Sequence, residues 1–278
     1  MGTLYLVATP IGNLEDITLR ALQVLRTVAL VAAEDTRQTQ KLLQRYEISV
    51  STISYHEHNK LSRVNEILNA LAVGDVALVS DAGMPGLNDP GYELVRSALA
   101  AGYPVSPIPG PSAPVSALVV SGLPTDAFLY LGYLPRRGAE RMRRLREVAG
   151  LPYTLIFLEA PHRLLSALED IQAVLGDRPI AAAREMTKLH EEIFRGTVSQ
   201  AYQHFMETEP RGEFTLVIGG NTGQAAGPWS EDQLVQALRS GLEAGWTQSR
   251  LAGDVAQQSG WDRRDVYRKI LDLKTRRE

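Results

Sequence analysis

The sequence predicts an α/β protein: two α/β domains followed by a small C-terminal helical appendage. Three observations carry this. From residue 4 onward, short apolar runs of strand character alternate with stretches of helical periodicity. Several of those runs end in loops that gather Gly, Pro and polar side chains, which is where an open α/β sheet opens its ligand crevice. After residue 220 the alternation stops, and a small-residue tract, Asn221 to Pro228, leads into a purely helical pattern.

In order, Leu4 to Ala8 reads as a strand, Thr18 to Arg26 as a helix, Val28 to Ala32 as a strand, Thr39 to Tyr46 as a helix and Val50 to Ser54 as a strand. A helix over Ser62 to Ala72 leads to the fully apolar strand Val76 to Val79, which stops at Ser80-Asp81-Ala82-Gly83. Tyr92 to Ala101 is helical, Gly102 is its C-cap, and Val105 to Ile108 returns to the sheet. A mainly parallel sheet with helices on both faces follows for residues 1–111.

Residues 112–220 repeat the theme with shorter connections. A helix over Ala113 to Ser121 stops at Gly122-Leu123-Pro124, and Phe128 to Tyr133 is a strand. Met142, Leu145 and Val148 stripe an arginine-rich helix; the strand Thr154 to Leu158 and a helix over Arg163 to Leu175 follow. Ile180 to Ala183, Ile193 to Thr197, a helix over Ser199 to Glu207 and Phe214 to Ile218 complete the unit, and the hairpin-length connections favour a mixed sheet. In residues 229–278, Leu234, Leu238 and Leu242 repeat at helical spacing, Ser249 to Gln258 is a second helix, and Val266, Ile270 and Leu273 mark a third beyond a turn at Gly260. Such a helix, turn and basic helix suits nucleic acid, or equally packing or dimerisation.

With 278 residues, 44% of them apolar, the chain can bury a sizeable core, and its lack of cysteine excludes disulfides, thiolate chemistry and Cys-based metal sites. No basic leader precedes the first strand and no stretch approaches about 20 apolar residues, so a cytoplasmic protein without a membrane segment is expected. The net charge of −3 conceals two basic segments, residues 136–146 and 263–277, each net +5. They are either a footprint for a polyanion or solvated helix faces.

The loops narrow the chemistry. Thr9-Pro10-Ile11-Gly12-Asn13 occupies the place of a nucleotide-binding turn, but with a single Gly and no Gly-Lys-Ser/Thr it does not cradle phosphate. In Glu34-Asp35-Thr36-Arg37, Asp35 or Thr36 is suited to cap the next helix, leaving Glu34 and Arg37 to face a substrate. His56 and His58 flank Glu57 without a third ligand at suitable spacing, so no metal site is expected. Glu159 and Arg184-Glu185 end apolar strands, and each must be paired or face a cleft.

Taken together, Ala8-Thr9-Pro10-Ile11-Gly12-Asn13-Leu14, Ala33-Glu34-Asp35-Thr36-Arg37, Val79-Ser80-Asp81-Ala82-Gly83-Met84-Pro85, Asn88-Asp89-Pro90-Gly91, Pro109-Gly110-Pro111-Ser112, Pro161-His162-Arg163-Leu164 and Arg184-Glu185-Met186-Thr187-Lys188 resemble, in order, the RNA-modifying branch of the tetrapyrrole methylase superfamily. The resemblance covers residues 1–220. It implies two α/β domains of tetrapyrrole-methylase type with S-adenosylmethionine in the cleft between them, methyl transfer to the 2′-hydroxyl of a cytidine in small-subunit ribosomal RNA or the assembled small subunit, and a homodimer. By position, Pro10, Gly12, Asp81, Ala82, Gly83, Pro85, Ser112, Ala113, Leu158 and Thr215 would bind the methyl donor. Met84 and Ala160 stand where a small polar residue and a hydroxyl residue are expected. Glu185 would act as base or orienter with Lys188 or Arg184 as the nearby cation, and Arg136, Arg137, Arg141, Arg143 and Arg144 would hold RNA phosphates. Two rival functions share this fold. A methyltransferase for a small tetrapyrrole gives the arginine helix no task, and a non-catalytic RNA-binding relative keeps the fold alone.

Overall fold

A computed structural model describes residues 2–221, 229, 231–243 and 246–275. The first sheet is built from β1 (Leu4–Val7), β2 (Leu30–Ala33), β3 (Thr52–Ser54), β4 (Val76–Val79) and β5 (Val105–Ile108), all parallel, in the order β3-β2-β4-β1-β5. The connecting helices are α1 (Leu19–Thr27), α2 (Thr36–Arg45), α3 (Lys60–Val73) and α4 (Tyr92–Ala100).

β4 shows why its sequence is uniformly apolar. Ala77 and Val79 pack on one face with Leu22, Leu25, Leu42 and Leu43 of α1 and α2, while Val76 and Leu78 pack on the other with Ile67, Leu71 and Leu94 of α3 and α4. A strand buried on both faces has no solvent side to make polar. Two boundaries differ from the sequence expectation for local reasons. Val28 belongs to the end of α1, donating its N–H to the Val24 carbonyl at 3.0 Å, so β2 begins later. α2 starts early because the Asp35 carboxylate accepts the Arg37 N–H at 2.8 Å and caps it.

The second sheet comprises β6 (Phe128–Tyr133), β7 (Thr154–Glu159), β8 (Pro179–Arg184), β9 (Glu192–Thr197) and β10 (Phe214–Ile218), ordered β6-β7-β10-β8-β9. β6 and β7 run parallel and the other pairs antiparallel, so this sheet is mixed. α5 (Ala113–Ser121) lies on one face, with Ala117 and Leu118 against Ile156, Ala181 and Val217. On the other face α6 (Gly138–Val148), α7 (Leu164–Leu175) and α8 (Val198–Glu207) enclose Phe157, Phe205 and Phe214.

The C-terminal unit is α9 (Glu231–Glu243), α10 (Gln248–Ser259) and α11 (Arg263–Thr275), closed around Leu234, Leu238, Leu251, Val255, Val266 and Ile270. Gly260 turns the chain between α10 and α11 at φ 68°, a left-handed conformation in which a Cβ is penalised. The expected linker lies, at residues 222–228, outside the described residues, as do Arg276 and Arg277 of the basic tail. Among the described residues no helix is long and apolar enough to cross a membrane.

Candidate functional site

One wall of the site is the carboxyl edge of the first sheet. Beyond β1, Thr9 pairs with Gly83 through N–H to carbonyl bonds of 2.9 and 3.0 Å, and the Thr9 hydroxyl donates to the Ser80 carbonyl at 3.0 Å. Gly83 sits at φ 79°, so the chain folds back and leaves Asp81 and Ala82 exposed at the rim. The neighbouring loop ties in reciprocally. The Asp81 N–H donates to the Glu34 carboxylate at 3.2 Å and the Asp35 N–H donates to the Asp81 carboxylate at 3.1 Å. Ser112 and Ala113, at the start of α5, complete this wall.

The second sheet supplies the opposite wall. Thr215 of β10 is paired with Leu158 of β7 on one side and Ala183 of β8 on the other, so the three form one row across the sheet. Below them the loop after β8 carries Glu185 and Thr187 at φ 47° and 65°. Non-glycine residues in that region are held only where their surroundings determine them. Lys188 pairs with the Glu185 carboxylate at 2.9 Å, and Gly212, at φ 73°, leaves the room that the Glu185 carboxylate occupies.

β6 adds two tyrosines that strict alternation would separate. Residues three apart on a regular strand face opposite ways, but the pairing of β6 with β7 shifts between Tyr130 and Tyr133, and both line the cleft. Gly132, at φ 66°, lies within this irregularity, and its missing side chain is the seat of the Asn88 amide. A second clasp joins the walls elsewhere: the Asn13 N–H donates to the Thr187 hydroxyl at 2.9 Å. Gly12 is so close that a Cβ would stand 2.6 Å from the Thr187 hydroxyl and 2.8 Å from the Met186 carbonyl.

The cleft so enclosed holds about 410 Å³, the size of a site for a small organic ligand. Its charge is one-sided: among the described residues that line it, Glu34, Asp81, Asp89, Glu185 and Glu213 supply carboxylates against the cation Lys188. Burial pushes Glu34 and Asp81 up from the usual carboxylate range. Asp89 rises to about 7, first through burial and then through repulsion by Glu34. Tyr130 is pushed up to about 12 by burial, with Asp89 adding to it. Glu185 moves the other way, held low by its hydrogen bond to Lys188. Ile11, Met84, Ala113 and Leu158 give the cleft apolar surface as well. The whole suits a ligand with positive charge and a flat apolar part.

Of the residues expected from sequence, Asp81, Ala82, Gly83, Ser112, Ala113, Leu158, Thr215, Glu185 and Lys188 all line this cleft. Pro10 and Pro85 are buried behind the lining, and Gly12 serves the clasp. Arg184 is not brought to the cleft; its guanidinium pairs with Glu192 at 2.9 Å and borders a smaller cavity with His190 and Arg211. Arg37 pairs with Asp35 and points outward. Glu159 is fully buried and paired with Arg163 at 3.2 Å.

The arginine helix needs one correction. Arg136, Arg137, Arg143 and Arg144 are exposed, but Arg141 is only 6% exposed and pairs with Asp170 at 2.6 Å. A guanidinium engaged this way cannot reach a phosphate. Sequence reasoning gave no role to Asp89, Tyr130, Tyr133 or Glu213. Asp89 stands in a loop motif already singled out, whereas only Gly132 hinted at the irregularity that turns both tyrosines inward.

Known proteins resemble this chain in sequence and in fold. The profile of the family described as Tetrapyrrole (Corrin/Porphyrin) Methylases matches residues 3–202. Ribosomal RNA small subunit methyltransferase I of Synechocystis sp. is 48% identical over 275 residues, covering 98% of this chain and 99% of its own. The protein of the same name from Thermotoga maritima is 51% identical over 221 residues, which are 79% of this chain and 99% of its own. Among solved structures, the methyltransferase CobJ superposes with a TM-score of 0.61 at 18% identity over 82% of this chain and 98% of its own. The uroporphyrin-III C-methyltransferase of Thermus thermophilus, complexed with S-adenosyl homocysteine, gives 0.55 at 21% identity over 78% and 97%. These two likenesses are of fold.

Proposed function

The chain belongs to the tetrapyrrole methylase family, and on that footing we propose that it is an S-adenosylmethionine-dependent methyltransferase of small-subunit ribosomal RNA, placing the methyl group on the 2′-hydroxyl of a cytidine. The observation that carries this is the likeness, at 48% identity over 98% of the chain, to a protein named for that substrate. The cleft supports the choice of donor. Its carboxylates suit a sulfonium and an ammonium group, while Leu158 and Ala183 offer apolar surface to an adenine. Bound there, the donor supplies a methyl group on a positively charged sulfur.

The chain's own residues would then do four things. Asp81, Ala82 and Gly83 with Ser112 and Ala113 hold the donor from the first sheet, and Leu158 and Thr215 from the second. The two clasps keep the walls at a fixed spacing, and alignment of the reacting groups accounts for most of the rate in such a displacement. Glu185, fixed by Lys188, orients the incoming hydroxyl. The exposed Arg136 and Arg137 just before α6, with Arg143 and Arg144 on it, neutralise RNA phosphates outside the cleft. The same resemblance supports a homodimer and action in the cytoplasm on small-subunit ribosomal RNA or on the assembled small subunit.

The test is incubation of the protein with small ribosomal subunits and donor labelled in its methyl group, followed by digestion to nucleosides. Label in 2′-O-methylcytidine is the expected result. Label in a base, in a small tetrapyrrole offered instead, or in nothing while RNA is still bound, refutes it.

A further inference from the structure

Resting on that function, we propose that Asp89 is the group that accepts the proton of the RNA hydroxyl while its oxygen is methylated. The position is built for one fixed carboxylate. Asn88, at φ 65°, lodges its amide in the space left by Gly132, and Pro90 restricts the backbone of Asp89 from the other side. Asp89 thereby faces the cleft, half-buried, beside the buried Ser80 hydroxyl.

Three of the other four cleft carboxylates are committed elsewhere, and the fourth, Glu213, is exposed to solvent. Glu34 and Asp81 each accept a backbone N–H, and Glu185 is ion-paired with Lys188, which weakens it as a base. Asp89 is faced by Glu34 beyond β2, Asp81 beyond β4, Glu213 before β10, and Tyr130 and Tyr133 on β6, with Lys188 and Glu185 on the same cleft after β8. Burial and those neighbouring carboxylates bring its proton affinity to about 7. A general base works best when its affinity matches the ambient pH.

The step balances without another reactant. The hydroxyl O–H bond breaks, its proton going to the Asp89 carboxylate. The oxygen forms a bond to the methyl carbon, and the carbon–sulfur bond breaks with its electron pair left on sulfur, which becomes a neutral thioether. Asp89 then returns its proton to water.

Single-turnover methylation of small subunits by the full chain, across pH 5.5–9, tests this. With wild-type protein the rate is expected to rise with pH and level off above about 7, and Asp89→Asn is expected to lose about 100-fold or more and the pH limb with it. Asp89→Glu, which keeps a carboxylate, should retain the limb at reduced rate. A readout independent of turnover is carboxyl ¹³C resonance in the donor-free protein: one aspartate signal titrating near 7 should vanish in Asp89→Asn. An Asn variant within threefold of wild type, a limb that persists in it, or a vanished signal that titrates below 5 overturns the assignment. Wild-type protein that places no methyl group on the subunit overturns the function itself, and the proposal with it.

Discussion

Gly12→Ala is the substitution whose effect the geometry fixes most closely. The added Cβ would lie 2.6 Å from Lys188 Cγ and from the Thr187 hydroxyl, and 2.8 Å from the Met186 carbonyl. The last is backbone and cannot rotate away, so the loop after β8 must retreat from the loop after β1. Retreat breaks the Asn13 to Thr187 hydrogen bond. Overpacking of this kind costs about 1–3 kcal/mol and the lost bond about 0.5–1.5 kcal/mol, together about 2–4 kcal/mol against the clasped arrangement. If the donor binds between clasped walls, its dissociation constant should rise by about 30-fold to several hundred-fold. Calorimetric titration with S-adenosylhomocysteine measures this. Gly150→Ala, where a Cβ meets nothing, is the matched control. A dissociation constant within threefold of wild type for Gly12→Ala would refute the link between clasp and donor.

Arg143→Ala with Arg144→Ala should weaken RNA binding and lower the slope of log affinity against log salt by about 2, leaving donor affinity unchanged; filter binding over a salt series decides it. Arg141→Ala should act on stability instead, by about 3 kcal/mol in chemical denaturation, because it strands Asp170. Asp89 gives a pH-dependent stability. Its folded-state affinity, about 7, exceeds the unfolded value near 3.8, so ionising it opposes folding progressively from pH 4 to 7 and fully above that. The melting temperature of Asp89→Asn should therefore exceed that of wild type by a margin that grows between pH 4 and 7.5. A margin independent of pH would contradict the buried placement of the carboxylate.

Much of this was legible in the residues because it depends on local pattern. β4 is apolar along its length since both its faces are covered, and the Gly and Pro of the loops mark where the chain must turn sharply at the sheet edge. What escaped depends on contacts between distant segments. Tyr130 and Tyr133 are assigned to opposite faces by the period of two, and only the irregularity around Gly132 reunites them. Charge groups Arg141 with its neighbours, but spacing separates it, because it shares the i, i+4, i+7 face with Leu145 and Val148. Arg184 and Glu185 are adjacent in sequence, but only Glu185 reaches the main cleft, while Glu192 holds Arg184 beside the smaller cavity that Glu185 also borders.

The charge of the cleft bears on the form in which RNA can arrive. Five carboxylates facing one lysine repel the phosphodiester chain, so the sugar has to enter while the phosphates on either side stay at the rim. In an A-form duplex the 2′-hydroxyls line a shallow groove bordered by both phosphate strands, and no single ribose can be advanced without its neighbours. An unpaired strand has that freedom. If the donor and the RNA ribose meet in this cleft, the same acidity would act as a filter on RNA shape, favouring a nucleotide already released from a helix over one still inside it.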